Sequence, residues 1–269
     1  MTSPLEIEDR GHVRILRLNR PERKNALSSG LGWAIVTAIE DAARDDDVWV
    51  IGLTGAGDAF CSGLDLAPEA QGDFESAAPL SPQDMAADEL GWIGRFPVLM
   101  RERCEKLVVG GINGVAVGAG LSLAMATDLR IASDRARFLA GYARLATSPD
   151  GGLTWTLAQA VGYERALRFL LERQQASAAE ALEWGMVGEV VPADEFETRF
   201  LACCDRLAKV APLAARATKR IVHAATAPPD VAAHVRWELS NARGGLDTED
   251  GKEALAAFLE KRKPTFHGR

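Results

Sequence analysis

The feature that most constrains the fold of this chain is a run of small residues near its centre, NGVAVGAGLS at residues 113–122. An apolar, β-branched segment at residues 107–109 precedes it, and this order is typical of a buried strand, a tight turn and a helix. Gly118, Ala119 and Gly120 leave the backbone accessible, and amides at a helix start lack partners inside the helix. The turn predicts either close packing of a strand on a helix or a site for an oxygen that carries negative charge.

The first part of the chain alternates between strands and helices. Residues 13–18 and 48–53 are apolar runs with strand character, and glycine-rich or polar turns follow them. Between them, Ser28 or Ser29 can cap a helix whose apolar residues recur every three or four positions. Farther along the chain, Ser177 and Glu180 have the spacing of a capping box that opens another helix. A strand, a helix and a strand in this order predict an α/β fold.

Two later segments have a different character. Residues 67–84 are rich in Pro, Gly, Ala and acidic residues, which predicts a mobile surface loop, either a lid or a variable insertion. Beyond residue 194 we expect only helices, with amphipathic segments near 195–210, 230–241 and 248–263 that are separated by Pro212 and by the pair Pro228 and Pro229. The sequence therefore predicts a core over residues 1–197 and a helical module over residues 198–269.

Composition and charge narrow the classes of partner. The formal net charge is −7 and basic residues form no patch with aromatic residues, so we expect no nucleic-acid partner. No apolar run approaches the roughly 20 residues that span a bilayer, and the first residues do not follow the plan of a signal peptide. The four cysteines and four histidines have no metal-ligand spacing. We therefore expect a cytoplasmic protein with reduced thiols, no membrane partner and no metal.

Four motifs in order resemble those of the crotonase (enoyl-CoA hydratase/isomerase) superfamily. They are NRP at residues 19–21 with NAL at 25–27, SGL at 62–64, GAG at 118–120, and FLEKRKPTF at 258–266. The resemblance covers nearly the whole chain. It implies a crotonase-like spiral of ββα repeats with a helical C-terminal trimerisation module, in a homotrimer or a dimer of trimers. It also implies an acyl-CoA thioester as substrate, with coenzyme A part of that substrate and no cofactor bound permanently.

The resemblance further assigns roles to residues near the glycine turns. The backbone amides of Leu64 and Ala119 are expected to form an oxyanion hole for the thioester oxygen. Such donors, preorganised in a dry site, each contribute about 3–4 kcal/mol to a transition state that carries negative charge on oxygen. Residues expected beside the coenzyme are Arg23, Lys24, Ala26, Ser62, Asp65 and Leu66. An alternative for Arg23 and Lys24 is a solvated basic turn.

The chain departs from the hydratase pattern at two positions. Hydratases of this superfamily hold and activate a water molecule with two glutamates, whose places are taken here by Ser122 and Tyr142. A serine without a paired base does not accept a proton near neutral pH, and tyrosine, with a reference pKa of about 10, is a donor. Hydration therefore lacks its usual proton-handling groups, and we expect hydratase activity to be disfavoured.

Asp150 remains as a carboxylate on the turn SPDGG at residues 148–152. Some superfamily members place an acid/base aspartate here, although an aspartate in such a turn can also be only a helix N-cap. One carboxylate beside an oxyanion hole suffices for double-bond isomerisation, which we favour. Ser122, Tyr142 and Trp155 are expected to border the substrate pocket, although the aromatic residues could equally belong to the core. The alternatives are a hydratase despite the missing glutamates, an aromatic-acyl-CoA dehalogenase or hydrolase, and a non-catalytic acyl-CoA binder.

Overall fold

Ten strands form two sheets in the computed structural model, which describes residues 3–67, 79–210, 212–226 and 231–264. The strands are β1 (Leu5–Arg10), β2 (Val13–Leu18), β3 (Val50–Gly55), β4 (Ala59–Cys61), β5 (Leu107–Ile112), β6 (Val115–Val117), β7 (Leu129–Ser133), β8 (Arg137–Leu139), β9 (Gln175–Ser177) and β10 (Glu189–Val191).

Successive strands are divided between the sheets. The six-stranded sheet has the order β1-β2-β3-β5-β7-β10, and the four-stranded sheet has the order β4-β6-β8-β9. Pairing is parallel except between β1 and β2 and between β8 and β9. Each of the pairs β3/β4, β5/β6 and β7/β8 therefore gives one strand to each sheet before the chain turns into helix, which confirms the predicted α/β fold built from ββα repeats. β1 is a strand that the sequence analysis did not predict.

Helices cover the sheets and form the C-terminal part of the chain. They are α1 (Ser29–Arg44), α2 (Pro82–Ala87), α3 (Gly91–Pro97), α4 (Ala119–Ala126), α5 (Leu153–Val161), α6 (Tyr163–Leu167), α7 (Ala178–Trp184), α8 (Phe196–Leu207), α9 (Pro212–Thr226), α10 (Val231–Asp247) and α11 (Glu249–Leu259). Two of the starts follow the predicted capping rules. Ser28 accepts a hydrogen bond from the amide of Leu31, and Ser177 forms a capping box with Glu180.

The predicted boundary between residues 197 and 198 falls inside α8. Phe200 of this helix is fully buried, and it belongs to a cluster with Ile15, Val109 and Ile131 of the large sheet. Because α8 covers one face of that sheet, it packs as part of the core, and the purely helical region begins after it.

The C-terminal region contains one helix more than the sequence analysis predicted. We interpreted Pro212 as a separator, whereas it is the first residue of α9. Proline is favourable there because the first residues of a helix have no intrahelical acceptor for their amide hydrogens.

The segment 67–84 is described only in part. Residues 68–78 lie outside the described residues, so the predicted loop is not tested there. At its end, Ser81 caps α2 by accepting a hydrogen bond from the amide of Asp84, so the loop gives way to a helix earlier than predicted. No helix among the described residues is long and apolar enough to cross a bilayer.

Candidate active site

Two glycine turns meet at the ends of neighbouring strands. β4 leads into Gly63 and β6 leads into Gly118, and the two strands run parallel side by side in the small sheet. A Cβ atom placed on Gly63, whose φ is +94°, would lie 2.8 Å from the carbonyl oxygen of Val117 and 3.8 Å from the amide nitrogen of Ala119. The turns are therefore in direct contact, and only glycine fits at position 63.

Each turn presents one amide to the space beside it. The backbone on either side of Leu64 is held by Leu27, whose amide donates to Gly63 and whose carbonyl accepts from Asp65. Ala119 is the first residue of α4 and follows Gly118, whose φ is +51°. Within the described part of the chain, neither the Leu64 amide nor the Ala119 amide donates to a protein acceptor. Two unpaired donors side by side suit an oxygen that gains negative charge.

A cavity of about 360 Å³ lies in front of these amides and is bordered by residues of the small sheet, of the turns that follow its strands and of the C-terminal helices. Its walls are mainly apolar. Leu246 from α10 and Phe258 from α11 close one side. The remaining lining residues are Ser62, Gly63, Leu64, Leu66, Val117, Gly118, Ala119, Leu139, Ala140, Gly141, Tyr142, Arg144, Leu145, Thr147, Asp150 and Gln174.

Three of the predicted pocket residues form one hydrogen-bonded group. The Tyr142 hydroxyl donates to Oδ1 of Asp150 at 2.7 Å, and Oγ of Ser122 lies 2.9 Å from the same hydroxyl. Ser122 Oγ also lies 3.0 Å from the backbone oxygen of Asp150. All three side chains are buried, and Tyr142 and Asp150 border the cavity. The carboxylate and the two amides of the glycine turns therefore face the same space.

The helix that follows Asp150 bears on the alternative role of this residue as an N-cap. α5 begins at Leu153, and its N-cap position is occupied by Gly152 with a φ of +74°. Asp150 lies two residues earlier, so it does not occupy the N-cap position.

The loop predicted to approach the coenzyme packs against the first glycine turn. The carbonyl of Lys24 accepts from the Ser62 amide at 3.0 Å, and the carbonyl of Arg23 accepts from Ser62 Oγ at 3.2 Å. Lys24 is exposed and donates to Asp58 at 2.6 Å, and this hydrogen bond lowers the pKa of the Asp58 carboxyl. Both predicted basic residues are thus beside the turn that contains Leu64.

Asp65 and Ala26, which are predicted to lie beside the coenzyme, are both held by Arg20. The Asp65 carboxylate is buried and forms an ion pair with Arg20 at 2.7 Å, while Arg20 also donates to the carbonyl of Ala26. These contacts hold the loop against the turn, and neither Asp65 nor Ala26 is among the lining residues. Ser62 and Leu66 do border the cavity.

Trp155 is not part of the pocket wall. It is buried in a separate cluster with Val98, Val235 and Leu239, and its ring stands edge-on to His223 at 6.0 Å between centroids. The prediction that it lines the substrate pocket is therefore wrong for this structure. The reason is that α5 turns this side chain toward α10 rather than toward the cavity.

Sequence reasoning missed several residues of the site. Arg20 was noted only as part of a motif, although it fixes the loop through Asp65. Arg144, which donates to Gln174 at 3.1 Å, borders the cavity but belongs to none of the four motifs. No spacing rule connects Arg144 to the glycine turns, because they meet only through the fold.

Among the residues described, neither the Cys61 thiol nor a metal-binding cluster adds a reactive group to Ser122, Tyr142 and Asp150. Burial raises the pKa of the Cys61 thiol, which lies behind Gly120, to about 12, so it stays protonated at neutral pH. In the same part of the chain, no three His, Cys, Asp or Glu side chains come together in a way that could hold a metal ion.

Comparison with known proteins identifies the family to which the chain belongs. The sequence model described as enoyl-CoA hydratase/isomerase matches residues 8–269. The chain belongs to the enoyl-CoA hydratase/isomerase family. The resemblance stated from the four motifs is thereby confirmed. The protein is an enzyme of this family within the crotonase superfamily, and an acyl-CoA thioester is consistent with that membership as a substrate.

Individual members of the enoyl-CoA hydratase/isomerase family match over nearly their whole length. The chain is 32% identical over 264 residues to enoyl-CoA hydratase EchA19 of Mycobacterium tuberculosis, covering 98% of this chain and 96% of the relative. It is 32% identical over 262 residues to 1,2-epoxyphenylacetyl-CoA isomerase of Escherichia coli, covering 96% of this chain and 95% of the relative. The crystal structure of enoyl-CoA hydratase/isomerase from Pseudoalteromonas atlantica matches with a TM-score of 0.86 at 30% identity, covering 98% of this chain and 100% of that one.

Proposed function

We propose that this protein isomerises a double bond in an acyl-CoA thioester through a thioester enolate, with Asp150 as the acid/base. The observation that carries the proposal is that the Asp150 carboxylate borders the same cavity as the amides of Leu64 and Ala119. A base and a pair of oxygen-binding donors in one cavity are what enolate chemistry requires.

The reaction needs no second reactant. The Asp150 carboxylate removes a proton from the carbon α or γ to the thioester, and the electron pair of the broken C–H bond moves onto the thioester oxygen. The amides of Leu64 and Ala119 donate to that oxygen while it is negative. The protonated Asp150 then returns the proton to a different carbon, the carbonyl re-forms, and the double bond has moved.

The neighbouring side chains favour this reaction over addition of water. Ser122 and Tyr142 stand where hydratases of the superfamily carry their two glutamates, and here they are hydrogen-bonded to each other and to Asp150. A pair of neutral hydroxyl groups gives water no general base. Isomerisation depends on one carboxylate only, and this chain has one bordering the cavity among its described residues.

We infer the remaining features of the function from family membership. The acyl group enters the apolar cavity, the coenzyme extends past Ser62 and Leu66 toward the loop with Arg23 and Lys24, and no cofactor remains bound between turnovers. The assembly is a homotrimer or a dimer of trimers, built through the C-terminal helices, in the cytoplasm. Sedimentation of the purified protein tests the assembly.

The central experiment offers unconjugated 3-enoyl-CoA and 2,5- or 3,5-dienoyl-CoA substrates and follows the ultraviolet absorbance of the conjugated thioester. The wild type is expected to convert at least one of them, and Asp150→Asn to lose about 10²–10⁴-fold in kcat because it keeps the shape but cannot accept a proton. Asp47→Asn is the matched control, since Asp47 is exposed before β3 and outside the cavity. Equal rates in the wild type and Asp150→Asn would exclude Asp150 as the base.

A second candidate is hydration, which the name of the Mycobacterium tuberculosis relative favours. In that case Asp150 would have to activate water alone. A conjugated short-chain enoyl-CoA separates the two functions, because hydration removes its conjugation, whereas the equilibrium of isomerisation favours the conjugated thioester and leaves most of it unchanged. Rapid hydration would replace the isomerase proposal. Release of halide or free coenzyme A from an aromatic acyl-CoA would indicate a dehalogenase or hydrolase, and binding without any turnover would indicate a degenerate acyl-CoA binder.

A further inference from the structure

The hydroxyl groups around Asp150 have a defined direction when the carboxylate is ionised. An ionised carboxylate only accepts hydrogen bonds, so the single proton of the Tyr142 hydroxyl is donated to Asp150, 2.7 Å away. The phenol oxygen is then an acceptor, and Ser122 Oγ at 2.9 Å is the hydroxyl that can donate to it. Ser122, Tyr142 and Asp150 thus form a chain of hydrogen-bonded groups that ends on the carboxylate, and the single Ser122 proton has the phenol oxygen and the backbone oxygen of Asp150 as alternative acceptors.

We propose that Ser122 and Tyr142 are positioning residues that hold Asp150 in place and maintain it as the ionised base. This inference rests on the proposed function of Asp150, and it assigns to the two residues a role other than lining the acyl pocket.

The chain also ties the carboxylate to the oxyanion turn. Ser122 lies one helical turn after Gly118, to whose carbonyl its amide donates at 3.0 Å, so it is fixed to the start of α4 where Ala119 lies. Its hydroxyl reaches across to the backbone oxygen of Asp150 at 3.0 Å. A Cβ on Gly151 would lie 2.9 Å from the Cβ of Ser122, so the two segments are packed without space between them. The distance between base and oxyanion donors is therefore set by one short helix.

A hydrogen-bond donor to a carboxylate favours its charged form, so the Tyr142 hydroxyl favours the ionised state of Asp150. Few other charges face this group. Among the described residues that line the cavity, Arg144 is the one other charged side chain, and it is exposed and bonded to Gln174. α3 carries Arg95, which pairs with Asp88, and α4 and α5 carry no charged residue.

Among the described side chains, those of the C-terminal helices that border the cavity are apolar, Leu246 of α10 and Phe258 of α11. These two side chains add no charge beside Asp150.

The same chain accommodates the protonated state. When Asp150 has taken a proton from substrate, its new O–H can donate to the phenol oxygen, and the phenol can turn its proton to Ser122. The Ser122 hydroxyl then donates to the backbone oxygen of Asp150 or of Gly118, which lie 3.0 Å and 3.3 Å away. Both protonation states leave every hydroxyl proton with an acceptor, so the proton is held until it returns to the substrate.

The test compares the pH dependence of kcat for Tyr142→Phe and Ser122→Ala with the wild type. The acid limb, where Asp150 becomes protonated, is expected to move up by about one pH unit in Tyr142→Phe because the donor to the carboxylate is lost. Ser122→Ala should move it less, and the double variant no further than Tyr142→Phe alone. Tyr163→Phe is the matched control, since Tyr163 is the only other tyrosine of the chain and is 77% exposed. An unshifted acid limb in Tyr142→Phe would overturn the inference.

A measurement without turnover separates this inference from the proposed function. Protein labelled with ¹³C at aspartate carboxyls is titrated by NMR, with Asp150→Asn identifying the Asp150 signal. A higher midpoint in Tyr142→Phe supports the inference even if Asp150→Asn leaves activity intact, whereas the same midpoint overturns it even if Asp150 is the base. Replacement of both tyrosines by the more acidic 3-fluorotyrosine keeps the shape and should move the midpoint the opposite way.

Discussion

Gly63 lies so close to Val117 that a methyl group added to its α-carbon would stand 2.8 Å from the Val117 carbonyl oxygen. This contact joins the two turns that carry the amides of Leu64 and Ala119. The site is therefore sensitive to the volume of a residue that has no side chain and takes no part in the reaction.

We predict that Gly63→Ala lowers both the free energy of unfolding and the rate of turnover. Gly11→Ala is the control, because Gly11 also has a positive φ, +59°, but a Cβ there would have no atom within 4 Å. The control should lose about 1 kcal/mol from backbone strain alone. Gly63→Ala should lose more in chemical denaturation, and its kcat should fall while that of Gly11→Ala is unchanged. Equal losses in both variants would show that the contact between the turns is unimportant.

The amide hydrogen of Ala119, which we propose donates to the thioester oxygen, can be removed without breaking the helix that carries it. Ala119 is the first residue of α4, a position where proline is tolerated, so Ala119→Pro removes the amide hydrogen and retains the fold. We expect kcat to fall by about 10²–10³-fold. Ala178→Pro at the first position of α7 makes the same change away from the cavity and should leave kcat unaltered. A normal rate in Ala119→Pro would remove this amide from the mechanism.

The packing of α8 on the large sheet predicts a stability effect far from the site. Phe200→Ala should lower the free energy of unfolding by about 3–5 kcal/mol, because a fully buried ring is removed from between the helix and the sheet. Phe258→Ala deletes the same side chain where it is 56% exposed and should cost much less. Urea denaturation measures both. Similar values would mean that α8 is not part of the core.

Stability at mildly acidic pH should depend on His223. Burial lowers the pKa of this imidazole below its ordinary value of 6.5, and the charge of Arg101 lowers it further. The unfolded chain therefore binds a proton at a higher pH than the folded chain does. The stability that the neutral imidazole of His223 contributes is complete above pH 6.5 and is lost as the pH falls through and below that value. Between pH 7.5 and pH 5, the unfolding free energy of the wild type should fall more than that of His223→Gln. Parallel curves would contradict this assignment.

The fold could be predicted well where local chemistry decides it. The β-branched run before the central glycine turn became β5, and the capping box of Ser177 and Glu180 begins α7 as expected. Prediction was weaker where a residue has two uses. Pro212 can end one segment or begin another, and only packing against neighbouring elements decides between them.

The site could be predicted residue by residue but not as a unit. The separations of Ser122, Tyr142 and Asp150 along the chain do not show that they share hydrogen bonds, because these arise from the stacking of three different segments. Trp155 was expected either at the pocket or in the core. The orientation of α5, which the sequence does not show, buries it against α10.

The donors that face the cavity from the two glycine turns are main-chain nitrogen atoms, which every amino acid except proline supplies. Most substitutions at Leu64 or Ala119 therefore keep the two amide donors that we propose bind the thioester oxygen, as long as the turns keep their shape. The proposed base at position 150 and the two residues proposed to position it, at 122 and 142, are in contrast side chains that mutation can replace. A protein engineer who seeks a new reaction from this scaffold can therefore keep both backbone amides and vary only the side chains at these three positions.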